Sequence, residues 1–82
     1  MATNREKYDY AFMSNFRVKK EDLPNLEYMV TDNWDSIGHM DLIADLEAAF
    51  GIHMDMKDVL DLSTYEKGFK ILSENYGVSF DE

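Results

Sequence analysis

The residues best suited to chemistry lie in one short stretch, Asn33-Trp34-Asp35-Ser36-Ile37-Gly38-His39-Met40-Asp41-Leu42-Ile43. An acidic residue and a serine stand where a polar loop gives way to helical spacing, which predicts Ser36 in the N-cap position of a helix with its hydroxyl exposed. First-turn N–H groups lack intrahelical partners, and the macrodipole adds partial positive charge there. A phosphoester on Ser36 is therefore stabilised at its own attachment point. Ser36 has no evident base of its own, and no serine–histidine–carboxylate arrangement can be read around it. It is thus expected to be modified by another protein and to catalyse nothing alone. The same spacing also suits a plain capping serine, and the local pattern leaves both readings open.

Other chemistries fit less well. With Gly38 at the glycine position of a calcium-binding loop, Asn33 and Asp35 match the first and third ligands. Ile37 then occupies the fifth, and Ala44 replaces the bidentate glutamate, so that site is rejected. Diffuse binding of divalent ions by acidic side chains stays open. There is no phosphate-binding glycine loop and no zinc-ligand spacing. The chain has no cysteine, so any thioester chemistry needs a thiol from a cofactor.

Asp35-Ser36-Ile37, followed by Met40-Asp41-Leu42-Ile43 and by Leu46-Glu47-Ala48-Ala49-Phe50-Gly51-Ile52, resembles the acyl carrier protein family. In that family an Asp-Ser-Leu signature opens the second helix and its serine bears a 4′-phosphopantetheine arm. The similarity is specific over residues 34–52 and weaker elsewhere. Ile37 replaces the usual leucine, Gly38 stands where an acidic residue is common, and His39 where a small one is. The resemblance implies an all-α four-helix bundle of acyl-carrier type, with three longer helices, one short one and a long first loop. It implies a non-catalytic carrier of fatty acyl or related acyl groups, with the arm on Ser36 inside the Asp35-Ser36-Ile37 signature. The partners implied are a phosphopantetheinyl transferase and acyl-transferring or acyl-activating enzymes, met by a monomer. Two alternatives remain: a specialised acyl or aminoacyl carrier loaded by an adenylate-forming ligase, and an unmodified acidic helical adaptor. His39, one turn beyond Ser36, is either a packing residue bonded to the loop or part of the entrance used by the arm. In the second case its imidazolium is favoured by the phosphodiester.

Charge sharpens the picture. The net charge is −9 over 82 residues, but residues 1–31 balance five acids with five bases. Residues 32–61 hold eight acids against Lys57 alone, and residues 62–82 contribute the remaining −2. The negative field centres on the segment that carries Ser36. It repels nucleic acid and anionic membranes and steers basic protein patches toward the segment. The N-terminus has no apolar signal segment and no stretch approaches a membrane span, so a cytoplasmic protein is expected.

Eighty-two residues predict one domain, ordered over about 4–77. Thr3-Asn4-Arg5-Glu6 reads as a capping box, opening a helix to about Asn15 with Tyr8, Ala11, Phe12 and Phe16 as its core stripe. A long loop follows, containing Pro24, pinned by Leu23, Leu26, Tyr28, Met29 and Val30, with Trp34 plugging the core. The second helix is predicted over 36–50. Leu42, Ile43, Leu46 and Phe50 form its core face. Ile37, Met40, Asp41, Ala44 and Ala48, flanked by Glu47, form an exposed strip that the resemblance assigns to partner recognition. Gly51 ends this helix. Asp55 is expected to cap a short third helix, 56–61, with Val59 and Leu60 inward, and His53 is read as surface. Ser63-Thr64-Tyr65-Glu66 suggests a second capping box before a fourth helix. Gly77 stops that helix, Gly68 within it permits a close contact, and residues 78–82 are expected to fray.

Overall fold

Thr3 opens the first helix, α1 (Asn4–Phe16), as a complete capping box: its hydroxyl accepts from the Glu6 N–H, and the Glu6 carboxylate accepts from the Thr3 N–H. The computed structural model describes residues 3–80. Three more α-helices follow, α2 (Ser36–Phe50), α3 (Met56–Asp61) and α4 (Tyr65–Asn75), with a 3₁₀ helix at Lys20–Asn25 inside the first loop. The fold is all-α. Its one β-type contact among the described residues is an isolated bridge between Glu27 and Thr64.

α1 packs along α2, and the 3₁₀ helix fills the space beside α1 and α4. Tyr8, Phe12, Phe16, Trp34, Leu42, Leu46, Leu62 and Leu72 are fully buried. Burying each such side chain contributes about 1.5–3 kcal/mol against exposure. Phe16 stacks on Trp34 at 4.8 Å and Phe12 meets its edge at 5.6 Å, so Trp34 plugs the core as expected. Gly51, in the left-handed conformation at φ 63°, ends α2. Gly68 lets α4 lie against Tyr8, whose phenol donates to the Tyr65 carbonyl.

Several local expectations are corrected. The second box is absent: Thr64, not Ser63, caps α4 by accepting from the Lys67 N–H at 3.1 Å. Ser63 instead receives the Lys67 ammonium on its hydroxyl and the Tyr28 N–H on its carbonyl. Asp55 stands at the start of α3 without a side-chain capping bond, its N–H donating to Tyr76 Oη. Leu60 is exposed while Asp58 is buried, because Asp58 accepts from Tyr76 Oη at 2.6 Å and from Asn75 Nδ2 at 3.0 Å. Met29 and Val30 are exposed too; Met29 sits at φ 67° and Leu23 and Leu26 do the pinning. The chain after Gly77 does not leave the core at once. Val78 is buried and Phe80 packs against Phe69, Tyr8 and Phe50; the end of the expected frayed tail, 81–82, lies outside the described residues.

A polar clamp that sequence patterning missed joins α1 to α4. Tyr65 Oη donates to the buried Asp9 carboxylate and accepts from Arg5 Nε, and the Arg5 guanidinium lies 4.7 Å over Phe69. Burial, then the bond to Asp9, pushes the Tyr65 phenol up to about 12, and burial raises Tyr8 as well.

Candidate functional site

The site is built from the last turn of the first loop and the first turn of α2. Asp35, in extended conformation, is the N-cap: its Oδ1 accepts from the Gly38 N–H at 2.9 Å, and its carbonyl takes the first helical bond, from His39. Ser36 is therefore the first helical residue, which corrects its expected place at the cap. Both residue types cap well, and here the carboxylate is the one seated over the third N–H. The consequence is chemical. The Ser36 hydroxyl makes no capping bond, stays exposed, and meets Tyr28 Oη at 3.4 Å. The N–H groups of Ser36 and Ile37 precede the first helical bond and have no intrahelical acceptor.

Close packing underneath holds this turn. Asn33 adopts φ 71°, and its carbonyl lies against Gly38 so closely that a Cβ there would fall under 3.0 Å from it. A glycine at position 38 is thus required by this loop. Trp34 turns inward beside it and donates its indole N–H to His39 Nδ1 at 2.9 Å. An indole nitrogen can only donate, so His39 carries its proton on Nε2, which meets the Val59 carbonyl at 2.6 Å. His39 is buried with both ring nitrogens engaged. The ring packs between the loop and α3, the first of its two expected readings, with neither nitrogen left free.

The exposed strip of α2 takes shape as follows. Ile37 is 76% exposed and Met40 53% exposed, and Asp41, Ala44 and Ala48 are exposed beside them. Glu47 flanks this strip and makes contacts of its own. It is half-buried, its Oε2 accepts from the Met54 N–H at 2.8 Å and lies 3.6 Å from exposed His53, so it braces the link to α3. On the core side Leu42, Ile43 and Leu46 are buried and Phe50 partly so.

Sequence reasoning missed Tyr28 as a site residue. It lies eight positions before Ser36 in an irregular loop, where no periodicity reports direction. Its ring leans on His39 at 4.7 Å, and its N–H donates to the Ser63 carbonyl at 2.9 Å. Among the described residues no group of three or more His, Asp or Glu side chains could hold a metal ion, and no helix is long and apolar enough to cross a membrane. Compared with family models, with curated proteins and with solved structures, the chain matches none.

Proposed function

We propose that this chain is a carrier of acyl-carrier type, a four-helix bundle whose Ser36 takes a 4′-phosphopantetheine arm. The observation that carries the reading is the Ser36 hydroxyl itself, exposed at the first helical position and released from capping because Asp35 does that work. Its fit to a phosphodiester is supported by the adjoining N–H groups of Ser36 and Ile37 and by the partial positive charge of a helix start. In the attachment step Ser36 Oγ forms a bond to the β-phosphorus of coenzyme A as the bond to adenosine 3′,5′-bisphosphate breaks. The serine proton leaves to a base of the transferase. The arm, once bound, supplies a thiol that holds an acyl group as a thioester.

The chain's own residues do the positioning. Asp35 fixes the start of α2, and Gly38 admits the Asn33 carbonyl against the first turn, so the attachment point is anchored to the core through Trp34. Ile37, Met40, Asp41, Ala44 and Ala48 offer an apolar and acidic strip beginning beside Ser36. Basic patches on partner enzymes would meet it quickly and weakly, as serial delivery requires. Incubation with a phosphopantetheinyl transferase and coenzyme A tests the reading. A mass gain of one phosphopantetheine, abolished by Ser36→Ala, is expected; an unmodified wild-type protein refutes it.

A further inference from the structure

We propose that Tyr28 anchors the root of the arm by donating its phenolic hydrogen bond to the phosphodiester formed on Ser36, an inference that rests on the reading of Ser36 above. Tyr28 Oη lies 3.4 Å from Ser36 Oγ, and in the unmodified protein either hydroxyl can donate. That separation is long for a hydroxyl–hydroxyl bond, whose usual range ends near 3.0 Å. The phenol is thus close to Ser36 and poorly used by it. Esterification removes the serine proton and brings non-bridging oxygens that share a negative charge, which are stronger acceptors than a hydroxyl. His39, the other polar ring near this turn, is committed to Trp34 and Val59. Of these two rings, Tyr28 is the one with a hydrogen left to donate.

The phenol also sits on a tied segment. Its ring is 4.7 Å from His39 and 6.4 Å from Trp34, its N–H is bonded to Ser63, and the adjacent Glu27 bridges to Thr64. An anchor on this segment would join the root of the arm to the α3–α4 junction, so attachment would reinforce a long-range contact.

Tyr28→Phe keeps the ring contacts and deletes only the donor, and extended incubation with transferase and coenzyme A yields its modified form. Urea unfolding of unmodified and modified protein, wild type and variant, reads the coupling. Modification is expected to raise the folding constant of the wild type by about ten- to a hundredfold more than that of the variant, the size of one hydrogen bond to a charged group. The phosphorus NMR resonance should differ between the two modified proteins. A second measurement needs no variant: in modified wild type, exchange of the Tyr28 hydroxyl proton should slow and couple to phosphorus. Equal gains and identical phosphorus shifts, or a freely exchanging Tyr28 proton, overturn the anchor while leaving the carrier reading intact. A wild type that accepts no arm removes both.

Discussion

Replacing Gly68 by alanine puts two effects of opposite sign against each other. On helix propensity alone the change stabilises α4 by about 1 kcal/mol. The structure predicts the reverse. A Cβ at position 68 would fall under 3.0 Å from Tyr8 Oη, and would stand 3.0 Å from Tyr8 Cζ and 3.3 Å from Cε1. Tyr8 is fully buried and its phenol is committed to the Tyr65 carbonyl, so it has no solvent-side rotamer to retreat to. Losing that bond costs about 1–3 kcal/mol and shifting the ring about 1–3 more, for a net loss of about 1–5 kcal/mol after the propensity gain. A domain of this length has on the order of 4–12 kcal/mol in total, so the effect is large. Tyr8→Phe sharpens the test. Alone it should destabilise by about 1–3 kcal/mol through the lost bond. Added to Gly68→Ala it removes the worst contact and should stabilise, giving a coupling of about 1–3 kcal/mol in a urea double-mutant cycle. If Gly68→Ala is as stable as wild type, or if the two changes simply add, the close approach of α4 to Tyr8 is refuted.

Three further outcomes are expected. Gly38→Ala should destabilise by about 1–3 kcal/mol, because the neighbouring Asn33 carbonyl is backbone and cannot rotate aside; a rise in melting temperature would show that the loop yields freely. Tyr65 and Tyr8 are both raised above the ordinary phenol value, so their contribution is fully present below pH about 10 and is lost as pH climbs through that value toward the folded-state range. Near-ultraviolet circular dichroism should record alkaline unfolding in that window, and a Tyr65→Phe protein with an unchanged alkaline midpoint would count against it. Among the described residues Asp35, Asp41, Asp45, Asp55, Asp58 and Asp61 form no ion pair, so salt or millimolar divalent cations should raise the melting temperature by screening their repulsion. Indifference to both would mean that solvent already screens these charges.

Much of the helical frame could be read from local rules. The Thr3–Glu6 box and the 36–50 span closed by Gly51 follow from cap residues and a 3.6-residue period, and the short helix falls at 56–61 as expected although Asp55 makes no side-chain capping bond. What escaped was set by contacts distant in sequence. His39 is committed by a carbonyl twenty residues away and Asp9 by a phenol fifty-six away, and Phe80 is held by rings from α1, α2 and α4. No window of neighbouring residues carries such information. The cap error has a different origin. Asp35 and Ser36 are both strong cap formers standing side by side, and propensity cannot rank them; only the position of the Gly38 N–H decides.

That decision governs the chemistry of the site. Trp34, Asp35 and Ser36 are consecutive, yet each faces a different environment: the indole enters the core, the carboxylate closes the first turn, and the hydroxyl is left outside. Had Ser36 been the cap, its oxygen would be held by a backbone N–H and turned from an incoming electrophile. With Asp35 in that role, the hydroxyl is released from the cap while its Cα stays fixed, because Trp34 on one side and the Gly38–Asn33 packing on the other hold the turn. On the proposed reading, a nucleophile presented this way would lose little conformational freedom when a transferase engaged it, and a group esterified there would start from a rigid base. The same arrangement explains why a capping serine and a serine left out of the cap look alike in sequence. They share a residue type and a helix start, and differ by a single position that the neighbouring aspartate determines.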